Sequence, residues 1–414
     1  MKKEDHMEDR ILYWLWLSNL LGAGCKNSSE IIDASRCNPL NVYDDERYAE
    51  IAEYKIFTPR QISKLKDKNL DKAKQTLELC QKTDVKIITP DSPEYPRILL
   101  RTPLCPLVLY VKGELPDLSK YISIANVGTR KMTEIGKRCA YEFAYDLAKS
   151  GIVVTSGMAL GIDSVAHRAA LDAGGRTIAV LGSGIDVIYP SQNTDLYHEI
   201  CEYGAIVSEF EPGTPPLPYN FPVRNRIVSG LSVGTLVIEA GERSGSLNTA
   251  RHAQEQGRDL FSVPGPNGEY NNRGTNSLLK TGAHPVTDAA DIIDFYTQRY
   301  GDQIKFAHIT KRRSLQSVSL PETKPVSKKR TKAPTVAEVP PTCDVQRSPH
   351  QKEDYCSLGE PMRSIANALL EKDMFPEEIA DAIGVPFNQV LSAVSIMELQ
   401  GIIKIISGGK FTLV

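Results

Sequence analysis

Between residues 121 and 295, short β-branched runs alternate with amphipathic stretches of helical period. Short apolar runs separated by such helices are typical of a parallel sheet with crossover helices. In the first predicted β-α-β segment, Ile135, Cys139, Phe143 and Leu147 recur every four residues, and Gly151 follows as the residue that ends the helix. The sequence therefore predicts an α/β domain over residues 91–310. Its predicted strands are 122–125, 152–155, 177–180, 205–208, 235–239 and 260–263.

Helical patterns fill residues 1–90 and predict a small domain similar to SAM or helix-hairpin-helix modules. Its first predicted helix, residues 11–21, contains Trp14 and Trp16 and leads into the turn Gly22-Ala23-Gly24. Two interpretations of this turn stay open. It is either a tight turn between packed helices or a loop whose N–H groups bind a DNA phosphate.

The C-terminal part of the chain has two different textures. Residues 311–357 are rich in Lys, Ser, Pro and Thr, which predicts a disordered basic linker. Residues 358–414 predict a winged-helix domain, with helices at 362–371, 377–383 and 387–399 before a hairpin at 402–406 and 410–413. The third helix carries no Lys or Arg, so a protein-interaction or regulatory role is favoured over reading DNA.

Composition limits the function classes further. Lys and Arg number 49 against 51 Asp and Glu, so any nucleic-acid binding depends on local clusters of cations. The eight cysteines form no C-x-x-C pair, and the first ten residues lack the apolar region of a signal peptide. No run is long and apolar enough to span a bilayer. A cytoplasmic protein without membrane insertion is expected.

Glycine-rich loops follow the first three predicted strands. The carboxyl ends of parallel strands lie along one edge of a sheet, so these loops are expected to meet there. Each combines glycine with a helix start, where exposed N–H groups favour an anion. The loops are Gly128-Thr129-Arg130, then Ser156-Gly157 with Gly161-Ile162-Asp163, and Gly182-Ser183-Gly184. A single glycine loop is often only a turn, but several along one edge suit a polyanion.

Two further segments fit this interpretation. Phe221 is followed closely by Arg224, Asn225 and Arg226, which predicts a clamp for phosphate. Ser244-Gly245-Ser246 precedes a predicted helix, 247–256, as a hydroxyl-and-amide cap for an anion. Aromatic rings near the clamp stack on an unpaired base or pack in the core, and core packing is favoured for Tyr189.

Several chemistries lack their motifs. The run from Gly182 lacks the third glycine of a dinucleotide fingerprint, and the chain has no G-x-x-x-x-G-K-[ST] loop and no H-E-x-x-H. Asp163 and Glu239 end predicted strands without a metal cluster or a base-nucleophile pair, so they are interpreted as capping or Arg-pairing residues. No cofactor, metal or catalytic residue is expected.

Six ordered motifs resemble the DNA-processing protein A family (DprA or Smf). They are VGTR at 127–130, SGMALGID at 156–163, GSGIDVIYP at 182–190, FPVRNRIVSGL at 221–231, SGSLNTA at 244–250 and GRDLFSVPG at 257–265. The resemblance implies an extended Rossmann fold that forms homodimers and binds single-stranded DNA without catalysis. It also implies loading of RecA recombinase in natural transformation, displacing single-strand-binding protein. By the same resemblance Gly128, Arg130, Phe221, Arg224 and Asn225 are expected DNA contacts.

Three departures accompany this resemblance. Leu160 stands where the family often has Arg, a proline stands shortly before the Phe221-Pro222 pair where a basic residue is common, and Asn126 replaces an apolar residue. The alternative function is that of a nucleotide phosphoribohydrolase of the LOG group, because Gly234-Thr235 with Glu239 echoes its G-T-x-x-E motif. That group carries a double glycine just before the motif, which this chain lacks.

Overall fold

The protein is described by a computed structural model. The structure describes residues 5–45, 47–48, 55–304 and, in the C-terminal part, 359–385, 389–390, 393–394, 396–397, 402–405 and 411–413. Two compact units divide the chain at Gln316. The predicted linker, 311–357, lies outside the described residues, and each unit is considered by itself.

A nine-stranded sheet organises the first unit, in the order β1-β2-β6-β5-β4-β3-β7-β8-β9. The strands β3 to β9 all run parallel to one another, while β2 pairs antiparallel with both β1 and β6. The strands are β1 Lys86–Ile88, β2 Leu109–Gly113, β3 Ser123–Val127, β4 Val153–Ser156, β5 Thr177–Val180, β6 Ala205–Ser208, β7 Gly234–Val237, β8 Asp259–Ser262 and β9 His284–Pro285.

Helices precede the sheet and connect its strands. Those of the N-terminal region are α1 Asp5–Leu21, α2 Ser28–Ala34, α3 Leu40–Tyr43, α4 Pro59–Leu65 and α5 Asp71–Lys82. Those that follow β1 are α6 Arg97–Leu100, α7 Glu134–Lys149, α8 Ile162–Asp172, α9 Thr194–Tyr203, α10 Asn220–Gly230, α11 Ser246–Glu255, α12 Tyr270–Lys280 and α13 Ala289–Tyr300.

All six predicted strands are confirmed to within two residues at each end, as β3 to β8. Both faces of the sheet are covered, which explains why these strands are continuous apolar runs rather than alternating ones. On β3, for example, Ile124 packs on the side of α7, α8 and α13, while Ala125 and Val127 pack in the opposite core. The strands β1, β2 and β9 were not predicted, and β1 lies inside the range expected to be helical.

The N-terminal helical region is built around two buried tryptophans. Trp14 and Trp16 are at most 2% exposed, and the indole N–H of Trp16 donates to the carbonyl of Asp67 over 2.7 Å. The turn after α1 packs on the sheet domain, because the N–H of Gly24 donates to Oε1 of Glu209 over 3.1 Å. Packing therefore decides between the two interpretations of this turn: that N–H is not presented to a phosphate.

The second unit contains α14 Met362–Glu371, α15 Pro376–Ile383 and an antiparallel pair, β10 Ile403–Ile405 with β11 Phe411–Leu413. Of the predicted third helix, residues 389–390, 393–394 and 396–397 are described, and they are helical. Ile365, Ile379, Val394 and Phe411 share one small core. A winged-helix identity remains a prediction. In the described part of the chain, no helix is both long and apolar enough to cross a membrane.

Candidate nucleic-acid interface

A cavity of about 790 Å³ opens at the carboxyl edge of the parallel strands. We call it the edge cavity. The loops after β3, β4 and β7 and the first half of α10 form its walls. Its lining includes Gly128, Thr129, Arg130, Gly157, Asp163, Tyr189, Phe221, Arg224, Asn225, Ser244, Gly245 and Ser246. Apart from Gly161-Ile162-Asp163, the predicted loops, clamp and cap contain fifteen residues, and ten of them line the cavity although up to 118 positions separate them in sequence.

Arg224 supplies a buried cation to this cavity. Its side chain is fixed because Nη1 donates to the carbonyl of Gly157 over 2.5 Å and also to the carbonyl of Val180. Within the described residues, Nη2 has no hydrogen-bond partner. Burial, opposed by the nearby Asp163 carboxylate, lowers the pKa of Arg224 to about 10. The guanidinium is therefore still charged at neutral pH and is available to an anion.

Asp163 is the buried counter-charge of Arg224. One carboxylate oxygen accepts a hydrogen bond from the N–H of Gly157 over 3.1 Å. Burial raises the pKa of Asp163, against the opposing effect of the Arg224 charge. Asp163 thus holds the β4–α8 loop in place through this backbone hydrogen bond and favours the charged form of Arg224 from nearby.

Arg130 supplies the exposed cation. Its guanidinium carbon lies 5.4 Å from the centre of the Phe221 ring, and that of Arg224 lies 5.9 Å from the same ring. Gly182 lies beneath this ring, since a Cβ atom there would come within 2.8 Å of the Phe221 Cδ1 atom. The ring is therefore held in place with two cations beside it, a geometry typical of cation–π contact.

The loop that carries Arg130 is fixed by backbone contacts. Thr129 donates its N–H to the carbonyl of Glu239 over 2.8 Å, and its own carbonyl accepts from the N–H of Ile162 over 3.3 Å. Gly161 has a φ of +86°, and a Cβ atom there would come within 2.8 Å of the Arg130 backbone. Arg130 is thus presented from a rigid backbone.

Hydroxyl and amide groups line the cavity where α11 begins. The hydroxyl groups of Ser244 and Ser246 lie 2.8 Å apart, and the amide of Asn225 donates to the carbonyl of Gly245 over 3.4 Å. Asn248, which the sequence did not single out, also lines the cavity and donates to the carbonyl of Pro222 over 3.3 Å. Its place on the first turn of α11 was the available signal.

A family model described as "DNA recombination-mediator protein A" matches residues 86–297, about half of the chain. The chain belongs to this family. Among its relatives, Protein Smf of Escherichia coli (strain K12) is 48% identical over 209 residues, which are 50% of this chain and 56% of that protein. DNA processing protein DprA of Bacillus subtilis (strain 168) is 38% identical over 228 residues, 55% of this chain and 77% of that protein.

A solved structure agrees with the fold of this DprA family member. The X-ray structure of DNA processing protein A (DprA) from Streptococcus pneumoniae matches with a TM-score of 0.60 and 31% sequence identity, covering 68% of this chain and 97% of that one. The alignment with the E. coli protein spans little more than half of that relative's length.

Five predicted site residues of this DprA family member do not line the edge cavity, and the predicted set is corrected accordingly. Ser156 is buried and donates its hydroxyl to the carbonyl of Asn126 over 2.6 Å, and Ser183 donates to the carbonyl of Val187 over 2.9 Å. Buried hydroxyl groups need such partners because water does not reach them. Gly184 donates its N–H to the carbonyl of Thr214 over 2.8 Å. Gly182 supports Phe221 from below.

Arg226 is the fifth correction. Its guanidinium is 3% exposed and pairs with the carboxylate of Glu209, Nη2 to Oε1, over 2.6 Å. A pair this deeply buried is not exchanged for a phosphate without leaving the charge of Glu209 uncompensated.

Tyr189 is more exposed than the sequence predicts. Its predicted core packing is wrong, because the side chain is 43% exposed and its ring lies 5.6 Å from that of Phe221.

Glu239 is committed to a structural role. It is 4% exposed and accepts from the N–H of Thr133 over 3.0 Å, from the Thr133 hydroxyl over 2.5 Å and from the Asn271 amide over 3.4 Å. It therefore fixes the loop between β3 and α7, as expected of a capping residue. In the described residues, no group of three or more His, Cys, Asp or Glu side chains is placed to hold a metal ion. Asn126 is fully buried, and within the described residues neither polar atom of its side chain has a hydrogen-bond partner. We have no physical account of this residue.

Proposed function

We propose that the protein binds single-stranded DNA in the edge cavity, without cutting it, and acts as a recombination mediator. The observation that carries this proposal is the exposed guanidinium of Arg130 beside the ring of Phe221, with the buried guanidinium of Arg224 on the same ring. Arginine binds phosphate oxygens in a bidentate way, and an aromatic face stacks on a base.

The preference for single strands follows from the same geometry. Stacking on Phe221 or on the exposed ring of Tyr189 requires a base that is free of its neighbours, and in a duplex the bases are already stacked. The charged residues of the lining are Arg130, Arg224 and Asp163, so two cations face one carboxylate. The negative charge of a backbone phosphate would neutralise the remaining positive charge.

The wider role extends this binding to recombination. Membership of the family supports the proposal that this protein is a recombination mediator. In that role it would protect incoming DNA and load RecA recombinase onto it in natural transformation, acting indirectly on single-strand-binding protein. In this proposal the protein is a cytoplasmic homodimer without cofactor or catalytic activity, and residues 358–414 form a winged-helix domain that binds a protein. RecA-driven strand exchange on DNA coated with single-strand-binding protein tests the loading step. A chain that gives no acceleration there is not a loader.

Fluorescence anisotropy of labelled oligonucleotides tests DNA binding. We expect wild type to prefer single-stranded over duplex DNA and Arg130→Ala to lose about tenfold or more in affinity. The matched control is Arg176→Ala, because Arg176 is also exposed and lies over a ring, Tyr121, at 4.7 Å, but precedes β5 at the amino edge of the sheet. Arg176→Ala should bind as wild type does. Equal binding of both substrates, unchanged by Arg130→Ala, contradicts the proposal.

A phosphoribohydrolase activity is disfavoured by the place of Glu239. That carboxylate is buried, hydrogen-bonded to Thr133 and Asn271, and outside the lining of the edge cavity. Incubation with nucleoside monophosphates followed by chromatography of free bases tests this alternative, and release of base at enzymatic rates would support it.

A further inference from the structure

Two carboxylates begin the segment that joins β6 to α10. Glu209 and Glu211 precede Pro216 and Pro218, which line the edge cavity, and α10 then carries Phe221 into it. This joining segment, residues 209–219, thus determines where α10 starts. Both carboxylates are bound by the N-terminal helical region, residues 5–82, whose described residues contribute nothing to the lining of the cavity.

The first anchor is the buried carboxylate of Glu209. Its Oε1 accepts from Nη2 of Arg226 over 2.6 Å and from the N–H of Gly24 over 3.1 Å. Gly24 also touches α10, because a Cβ atom there would lie 2.7 Å from Cγ1 of Val223. The Gly22–Gly24 turn therefore contacts α10 both through the Glu209–Arg226 pair and directly.

The second anchor is Glu211. Its Oε1 accepts from the hydroxyl of Thr76 over 2.8 Å, and its Oε2 pairs with the ammonium of Lys72 over 2.6 Å. Both donors belong to α5. The joining segment is therefore held at Glu209 by the turn after α1 and at Glu211 by α5.

Arg226 and Arg224 make these anchors relevant to the cavity. They lie two residues apart on a helix, and because each residue of an α-helix turns by about 100°, their side chains point in nearly opposite directions. Arg226 is fixed to Glu209 on one face, and this orients the other face, where Arg224 meets the carbonyl of Gly157. A small rotation or shift of α10 would move Phe221 away from Arg130.

We infer that the N-terminal helical region is a positioning element that orients α10, and with it Phe221 and Arg224, for DNA. The inference rests on the proposed single-stranded DNA binding of the edge cavity. Gly24, Lys72, Thr76, Glu209 and Glu211 act through α10 and the joining segment, without touching the DNA. Pre-orientation of this kind strengthens binding because less conformational freedom is lost when the ligand arrives.

The glycine turn provides a matched pair of variants. Gly22 and Gly24 have φ values of +81° and +70°, so alanine is strained at both, but a Cβ atom at Gly22 meets nothing within 4 Å whereas one at Gly24 meets Val223. Gly24→Ala should weaken single-stranded DNA binding by about fivefold or more, while Gly22→Ala stays within about twofold of wild type. Thermal unfolding of both variants measures the shared strain separately.

A second pair avoids the glycines altogether. Lys72→Ala combined with Thr76→Val removes the α5 anchor, and Lys82→Ala is its control, because Lys82 is also an exposed lysine of α5 but pairs with Glu78 within the helix. The double variant should lose affinity with little change in melting temperature, and Lys82→Ala should lose none.

Wild type and Arg130→Ala are measured in the same titrations. If wild type binds and Arg130→Ala does not, while Gly24→Ala equals Gly22→Ala and the α5 double variant equals Lys82→Ala, the positioning role is wrong and the proposed function stands. If wild type itself shows no affinity for single-stranded DNA, the proposed function fails and this inference fails with it. Loss in Gly24→Ala and in the double variant, but in neither control, supports it.

Discussion

The carbonyl of Gly157 accepts a hydrogen bond of 2.5 Å from Nη1 of Arg224, and a Cβ atom at residue 157 would lie 2.5 Å from Nη2 of the same guanidinium. The absence of a side chain at Gly157 therefore leaves the space that the guanidinium occupies. In sequence, Gly157 belongs to a predicted phosphate-binding loop. In the structure its first role is to make room for the buried guanidinium of Arg224, which leaves no space for a methyl group.

Gly157→Ala should displace Arg224 and weaken binding of single-stranded DNA by about tenfold or more, since the buried cation leaves its place. Anisotropy titration measures this loss. Gly301→Ala is the control, because a Cβ atom at Gly301 meets nothing within 4 Å and its φ is −53°. Unchanged affinity in Gly157→Ala would exclude Arg224 from DNA binding.

Phe221→Leu should lower the affinity for single-stranded DNA by about 5- to 150-fold, because stacking on an aromatic ring contributes about 1–3 kcal/mol per base. Leucine keeps an apolar contact with Gly182 but offers no ring face. Phe295→Leu serves as the control, since Phe295 also lies under a guanidinium, that of Arg299 at 5.2 Å, but on α13. Binding to duplex DNA should change little. An equal loss for both substrates would mean that Phe221 acts through packing alone.

Glu239→Gln should lower the free energy of unfolding by about 1.5–3 kcal/mol, because a charged acceptor is removed from the buried N–H and hydroxyl of Thr133. Urea denaturation measures the difference. Glu242→Gln is expected to have no effect, since Glu242 is exposed and its oxygen lies 3.8 Å from Arg273. A stable Glu239→Gln protein would show that the loop between β3 and α7 does not depend on this charge.

His167 should make stability depend on pH. Its Nδ1 lies 2.6 Å from the Thr177 hydroxyl, and burial, followed by the charge of Arg224, lowers the pKa of His167 to about 3. The unfolded pKa is about 6.5, so below that pH the unfolded chain binds a proton that the folded chain does not. The contribution of His167 to stability is therefore complete above about pH 6.5 and decreases by ~1.4 kcal/mol per pH unit as the pH falls towards 3.

Urea denaturation at pH 7.5, 6.5 and 5.5 measures this contribution. The slope of stability against pH in this range should be smaller for His167→Gln than for wild type. His198→Gln, at an exposed position, serves as the control substitution. Identical slopes for wild type and His167→Gln would mean that His167 is protonated in the folded protein.

The sequence predicts much of the fold. The six central strands, the helix beginning near Ile135 and the meeting of glycine loops at one edge all follow from local pattern and from the geometry of parallel sheets. The strands β1 and β9 were missed because they are edge strands of three and two residues without a usable pattern. The strand β2 was missed because its apolar residues do not alternate, which leaves a short run ambiguous.

The roles of the two clamp arginines were decided only by tertiary structure. From sequence alone, Arg224 and Arg226 form one predicted clamp with no helix predicted around them, whereas the structure places both on α10, which also contains Pro222. Proline is tolerated there, in the first turn of α10, where its missing N–H has no helical partner. Sequence thus determined that cations, an aromatic ring and glycine loops would gather at one edge of a sheet. Which cation faces the cavity and which is buried against Glu209 depended on how α10 packs, since residues two apart on a helix point in nearly opposite directions.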